Sequence, residues 1–435
     1  MEAATSGPAR ARAGARRLAH GIGVLGGVAA ALALASPTAA GTRITVGSTA
    51  GFARAVGQLA GSGGTVVLRP GRYGRLVVPP RAGAPLTIEA RTGATAQRLV
   101  LDGTRDVVVR GLRILPSGQR GGVSVVGASD VALERLALTD GGRGLNVDMT
   151  VLRAQRIRIA DSSFTRCGSG EPPDSAICLR LRDTQDVVVE RSWFHDCNGC
   201  DFVHGSYNDG LTIRDSVFER ALVGLRCGHH FTECNHQDLV HLIDGGDVMI
   251  ERNRFGIYEF GEAQVFLSGP IRGVTVRNNV FLGHDPDYPG YEAPRGITLG
   301  TKRSGDAPRS VAVVNNTIMT GHARADGYST SILFSPAYTR LPVEERPFVA
   351  NNVIARIEAP SFLCERVQAS VSNVLVHGRA CSPADDAGDP ELDEQGRPTA
   401  GSRLVVDRAD ERYATERDVD GDRRDARPDI GAYER

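Results

Sequence analysis

The stretch 186–281 holds four copies of one pattern: Asp186-VVVERSWF-His195, Gly210-LTIRDSVF-Glu219, Asp247-VMIERNRF-Gly256 and Gly273-VTVRNNVF-Leu282. Each copy reads as an alternating, β-branched strand, then a polar corner, then an aromatic residue. Phe194, Phe218, Phe255 and Phe281 hold the same place in each copy. That place continues to Ile114, Leu138 and Phe164 on one side and to Ile318, Ile354 and Leu375 on the other. The resulting rungs are spaced by 24, 26, 30, 24, 37, 26, 37, 36 and 21 residues. A short, irregular period in a chain rich in β-branched residues and Gly predicts an all-β solenoid of about ten stacked coils.

The residue two places before each rung is Ser162, Ser192 or Ser216, then Asn253, Asn279, Asn316, Asn352 and Asn373. Asn tolerates the left-handed conformation of a tight corner, and its amide can reach its counterpart one coil away. Parallel strands stack about 4.8 Å apart, which suits a ladder of such residues. A helical solenoid would require a 3.6-residue period and would not place Asn there.

Outward from this core, the chain divides into 1–40, 41–380 and 381–435. The first segment carries Arg10, Arg12, Arg16 and Arg17, an apolar run over 22–35 and Thr38-Ala-Ala40. That is the pattern of a secretory signal peptide, so the mature protein is expected outside the cell or on its surface. No second run is long enough to span a membrane. Residues 44–60 predict a short amphipathic helix with Phe52, Val56 and Leu59 on one face, covering the open end of the solenoid. The 51 basic and 51 acidic side chains balance, and no nucleic-acid partner is expected. All but one of the basic residues are Arg; the exception is Lys302. A monomer is expected.

Extra residues accumulate after the rung and before the next strand, over 168–175, 226–238, 283–295 and 321–329. Insertions at one corner of every coil put their loops on one edge of the cylinder, where binding and catalysis usually sit. His195, His229, His230, His236, His284 and His322 fall in that corner or its loops. The eight cysteines are even in number, so disulfides are expected in an exported protein. Cys167 and Cys197 both lie three residues after successive rungs, which favours their pairing; Cys178 with Cys200, Cys227 with Cys234 and Cys364 with Cys381 complete the set. The rival reading is a zinc site from Cys197, Cys200, Cys227 and Cys234. The ending Asp418-Val-Asp420-Gly-Asp422 reads as a turn into a final capping strand or as the start of a calcium loop.

Together, the repeats, the Asn corner and the helix followed by Gly63-Gly64-TVVL-Arg69-Pro-Gly-Arg-Tyr73 resemble the right-handed parallel β-helix proteins of the pectate-lyase-like superfamily. The resemblance covers roughly 44–380, and the tail resembles that of bacterial extracellular β-helix repeat proteins. It implies a right-handed parallel β-helix and leaves the activity open, because the superfamily includes lyases, hydrolases, epimerases, tailspikes and adhesins. Against its pectin hydrolases, Asn208-Asp209-Gly210 and His204-Gly205 are faint echoes, and Asp385-Asp386 lies beyond the coils. Its lyases with a catalytic Lys would require Lys302. His236-Gln-Asp238-Leu-Val-His241 resembles a His-x-Asp-x-x-Gln segment of uncharacterised members, with His241 in place of Gln.

Elimination on a uronic-acid chain requires a cation at the carboxylate, a base for the α-proton and an acid at the leaving oxygen. Counted back from the rungs, Arg180, His204 and His241 occupy one place in three successive coils and form a polar stripe. Arg stays protonated and suits the carboxylate, whereas His titrates near neutrality and suits proton transfer. His236, Asp238, Asp201, Tyr288 and Tyr291 are the candidate sugar contacts; the alternative roles of His236 and Asp238 are to orient His241 or to pin the loop closed by Cys227 and Cys234. Asp148 and Asp174, with Asp201, are candidate ligands for calcium. The expected function is cleavage of an acidic polysaccharide by β-elimination; the alternative is a non-catalytic extracellular β-helix that binds glycan or serves as a scaffold or adhesin.

Overall fold

The computed structural model describes residues 41–116, 120–142, 146–167, 176–198, 200–222, 238–256, 263–283, 295–301, 306–320, 331–355, 364–376 and 380–435. The leader expected over 1–40, the candidates His236, Tyr288, Tyr291 and Asp174, the Cys227–Cys234 pair and Lys302 lie outside them. The described strands pair in parallel, coil on coil, and build three sheets that run the length of the solenoid. A front sheet contains Asn146–Leu152, Ala176–Arg182 and the first halves of Cys200–Arg214, Asp238–Glu251 and Ala263–Arg277. The second halves of those long strands continue into a side sheet with Gln155–Ala160 and Gln185–Glu190. The third sheet consists of the short rung strands.

The rung residues form one buried column. Successive coils pair Ile114 with Leu138, Leu138 with Phe164, and so on through Phe194, Phe218, Phe255, Phe281, Ile318 and Ile354 to Leu375. The five phenylalanines stack face to face, with ring centroids 4.4, 4.8, 5.0 and 4.8 Å apart. The column extends beyond its expected ends, to Ala96 and Tyr73 before Ile114 and to Ala387 after Leu375.

The corner divides its work between two neighbouring residues, where the sequence suggested one. The left-handed residue is the third before the rung: Asp161, Arg191, Asp215, Arg252, Asn278, Asn315 and Asn351 have φ between 46° and 54°. The second before the rung supplies the ladder. Each amide of Asn253, Asn279, Asn316 and Asn352 donates to the Oδ1 of the next at 3.0 Å, and the same oxygen accepts a backbone N–H. Ser162, Ser192 and Ser216 extend the ladder by accepting backbone N–H groups. Asp385 closes the other end by accepting from Asn373. The ladder residues of this buried corner therefore find partners one coil away.

Helix Thr49–Gln58 covers the first coil, as expected, with Ser48 capping its N-terminus and Phe52, Val56 and Leu59 buried. The C-terminal tail does more than close the far end. Residues 386–387 add a rung, and the rest lies along the outer face of the rung sheet. There Val405, Val419, Ile430 and Tyr433 bury Val280, Met319, Val353 and Val374. Asp418 is spent on a turn: its Oδ1 accepts the N–H groups of Asp420 and Asp422. Asp420 pairs with Arg254 and Arg397.

The expected Cys167–Cys197 bridge is replaced by Cys167–Cys178 and Cys197–Cys200, and Cys364 bonds Cys381. Cys178 and Cys200 lie next to each other, with sulfurs 3.8 Å apart, each bonded elsewhere. Side chains stacked one coil apart run parallel, whereas the two legs of a single corner face each other. A disulfide requires Cβ atoms only about 3.8 Å apart, so the facing pair closes first.

Candidate functional site

The front sheet carries the site. Parallel register aligns Ser124, Thr150, Arg180, His204, His241, Phe266 and Thr298 in one column of consecutive coils. Leu179 and Leu181 point into the core, so Arg180 points out, and it is exposed. Many arginines on the side sheet are paired with a carboxylate one coil away, as in Arg158 with Glu134 and Arg214 with Glu190. Among the described residues Arg180 has neither ion pair nor side-chain hydrogen bond, and its column neighbours are Thr150 and His204. Its charge faces outward.

A second column supplies carboxylates at the start of the same strands. Asp201 and Asp238 occupy it in consecutive coils, 3% and 0% exposed. The Oδ1 of Asp201 accepts the N–H of Asp238 at 2.9 Å, and the Oδ1 of Asp238 accepts the N–H of Ala263 at 2.9 Å. Each carboxylate is thus oriented by the next coil, and its Oδ2 is turned towards the histidines. His204 Nδ1 lies 2.8 Å from Asp201 Oδ2. His241 Nδ1 lies 3.7 Å from Asp201 Oδ2 and 3.5 Å from Asp238 Oδ2. The imidazole rings are 4.8 Å apart, and Phe266 lies against the far side of His241 at 4.8 Å. Burial works against the charged form of Asp201, and the imidazoles of His204 and His241 overcome it. Its carboxyl is therefore held below the usual carboxylate range.

The structure brings Arg180, His204, His241, Asp201 and Asp238 together on one face. His204, 22% exposed at its side chain, is the histidine that reaches solvent; His241 is buried at 6%. Asp148 lies on the same sheet, two coils before Asp201, and accepts from the Thr150 hydroxyl at 3.1 Å. At about 4.8 Å per coil it stands outside the cluster. His195 belongs to the rung sheet, where its ring stacks on Trp193 at 3.6 Å and its Nδ1 meets Asp196 at 2.7 Å. The two disulfides brace the site from behind: Cys178 lies two residues before Arg180, and Cys200 directly precedes Asp201.

Two features escaped the sequence reading. One is Phe266, legible in principle by continuing the same count one coil further. The other is that Asp201 serves His204, three residues on, as Asp238 serves His241, so Asp-x-x-His recurs in consecutive coils; of the two pairs the sequence offered only Asp238 with His241. In a regular strand positions i and i+3 face opposite sides. Here both intervening residues, Phe202 and Val203 or Leu239 and Val240, are buried, and the pairing skips Phe202 and Leu239. That irregularity turns Asp and His to the same side.

No protein-family model matches the chain, and no curated protein matches it in sequence. Solved structures do match. PfbA, a surface adhesin of Streptococcus pneumoniae, is 12% identical with a TM-score of 0.50, over 72% of this chain and 85% of that one. The likeness is one of fold, a parallel β-helix. An alginate lyase from Paenibacillus is 12% identical with a TM-score of 0.39, over 62% and 92% of the two chains. A rhamnogalacturonan lyase is 12% identical with a TM-score of 0.42, over 72% and 87%. At such identities the likeness concerns the β-helix alone. Function must come from the front sheet itself. Its two imidazoles and buried carboxylate can chelate a divalent ion, since the ligand atoms of Asp201, His204 and His241 lie within 4.8 Å of one another. Among the described residues no helix is long and apolar enough to cross a membrane.

Proposed function

We propose that this is an extracellular β-helix whose front sheet binds an acidic polysaccharide. The observation that carries the reading is the outward guanidinium of Arg180, without an ion pair among the described residues, in one column with Thr150, His204 and Phe266. Such a column offers a cation for a uronate carboxylate, a hydroxyl and an imidazole edge for sugar hydroxyls, and a ring face for the apolar side of a sugar. An export leader and disulfides fit an oxidising compartment. PfbA, a surface adhesin, is an instance of such a binding protein with this fold.

The test is binding of purified protein to pectate, alginate and glycosaminoglycans, with Arg180→Ala as the comparison. Loss of one charge-assisted contact should weaken binding about tenfold or more while leaving the fold intact. Binding that is unchanged in Arg180→Ala, or confined to neutral glycans, would remove the reading.

A second reading is β-elimination on the same chain, and one observation favours it. Asp201 fixes Nδ1 of His204, whose side chain is 22% exposed, one coil from Arg180. That is the placement a proton-transferring imidazole requires beside a neutralised carboxylate. Absorbance of an unsaturated product would reveal turnover, and His204→Ala should lower it by roughly 10²–10⁴-fold.

A further inference from the structure

We propose that the outer face of the rung sheet joins two copies of this chain in an antiparallel, two-fold dimer centred on Trp193. Charge and relief both change along this face, apart from the front sheet and its site. The outward residues of the rung strands form a column: Arg72, Thr95, Arg113, Ala137, Ser163 and Trp193 in successive coils, then Val217 and Arg254. From Arg254 onward the tail covers the column; ahead of it Arg72, Arg113 and Trp193 are exposed.

The uncovered half is basic. Over 41–116 eleven arginines stand against three carboxylates, in a chain whose total charge is zero. Arg72 and Arg113, with Arg75 and Arg98 further along the first two of these strands, are exposed and form no ion pair among the described residues. The side sheet treats its arginines differently, linking Arg110, Glu134, Arg158 and Glu190 so that each cation meets a carboxylate. Arg75 instead stacks on Arg98, a like-charge pairing that is unfavourable in isolation. The covered half is acidic, with sixteen carboxylates against nine arginines over 381–435. Leu392 packs against Met319, Val353 and Val374, which holds 389–394 on the same outer face. Around it Asp389, Glu391, Asp393 and Glu394 are exposed, and none forms an ion pair among the described residues.

The halves match coil by coil. A two-fold axis between the coils of Trp193 and Val217 carries Arg113, three coils before Trp193, onto the coil of Thr317, three after Val217. It carries Arg72, five coils before, onto the coil of Val374, five after. Met319 and Val374, the ends of the span under Leu392, belong to those two coils. The tail also raises one half of the face above the other, so the same rotation seats the raised half of each copy on the uncovered half of its partner. Trp193, 42% exposed, stands near the foot of that step, with its Nε1–H donated to Glu219 Oε1 at 2.9 Å. An aromatic anchor at the centre with charges around it is the anatomy of a protein interface. A face complementary to itself closes as a dimer. A monomer, the expectation from sequence, leaves both charged halves uncompensated.

The test is sedimentation velocity on the exported protein with its disulfides intact. A dimer is expected at about 50 mM salt, and a weaker one at about 500 mM, where surface charges are screened. Trp193 is the chain's one tryptophan, so its emission should shift to the blue and become shielded from a soluble quencher as the dimer forms. Arg72→Glu with Arg113→Glu should weaken the dimer roughly 100-fold or more, as should Glu391→Arg with Glu394→Arg. Mixed in equal amounts, the two reversed proteins should form a 1:1 dimer, because opposite charges then meet at both ends. Trp193→Ala should weaken the native dimer about tenfold or more. A protein still monomeric at about 100 μM would overturn the proposal. So would reversed variants that dimerise like the native chain, a mixture that fails to pair, or assemblies that keep growing with concentration. Retention of dextran sulfate by a monomer, lost in Arg72→Glu with Arg113→Glu, would give the basic half to an acidic polymer and overturn it as well.

Discussion

Glu190 is held by three guanidinium groups, with Arg158 at 2.7 Å, Arg191 at 3.0 Å and Arg214 at 2.6 Å. Burial alone would raise its pKa; the three arginines outweigh that and lower it from the ordinary 4.5 to about 2. A carboxylate depressed on folding contributes stability above its unfolded pKa and loses it as pH falls through the folded value. The stability difference between the native protein and Glu190→Gln should thus be full above pH 4.5 and vanish towards pH 2. Its plateau is on the order of 2–3 kcal/mol, the scale of a hydrogen bond to a charged group. Denaturant melts of both proteins across that window check it; a constant difference would contradict the assignment. At this scale the column Arg180, His204, His241 was legible, because counting residues back from a rung is reliable where strands stay regular. The service of Asp201 to His204 was not, because it depends on a local break in alternation that no count of residues reveals.

Among the elements, the rung column and the corner ladder supply different kinds of stability. Phe218 packs between Phe194 and Phe255, and Phe218→Ala should cost roughly 3–5 kcal/mol through the cavity it leaves. Asn316 accepts both the backbone N–H and the amide of Asn279, and Asn316→Ala should cost about 1–3 kcal/mol by stranding a buried N–H. Thermal or chemical denaturation of the two variants separates packing from ladder. Peptide mapping of the non-reduced protein should find Cys167 joined to Cys178 and Cys197 to Cys200, with no Cys167–Cys197 peptide. The rungs and ladder could be read from sequence because each is a repeat, and a repeat announces its own register. The disulfides were misread because that register places Cys167 over Cys197 and says nothing of which side chains converge across a corner.

Over the whole molecule the tail sets the boundary between two regimes. The outward residues of the rung strands change along the axis, from Ser163 and Trp193 to Val280, Val353 and Val374. The apolar ones lie where the tail covers them, which is why 381–435 lies along the flank as well as closing the end. Deleting 401–435 should expose that strip and yield a protein that aggregates, read by light scattering. Within the tail, burial raises Asp429 from 3.8 to about 6, against the pull of the Asp407 and Arg435 N–H groups. A pKa raised on folding favours the protonated form, so this contribution is full below pH 3.8 and lost as pH rises through 6. Limited proteolysis of the tail should quicken over that window, opposite in sign to Glu190.

In a solenoid each coil touches only its neighbours, so the stack can peel from an end one coil at a time. The tail suspends that rule for half of this one. It reaches Arg254, Asn278, Asn315, Thr317, Asn351 and Asp386, tying coils that otherwise would part singly. Heated or pulled, the molecule should fray progressively through its first half and then release the clamped half in a single cooperative step. The Arg180–His241 face meets that boundary, since His241 and the clamped Arg254 lie in one coil, so whatever binds there also decides how far the fraying runs.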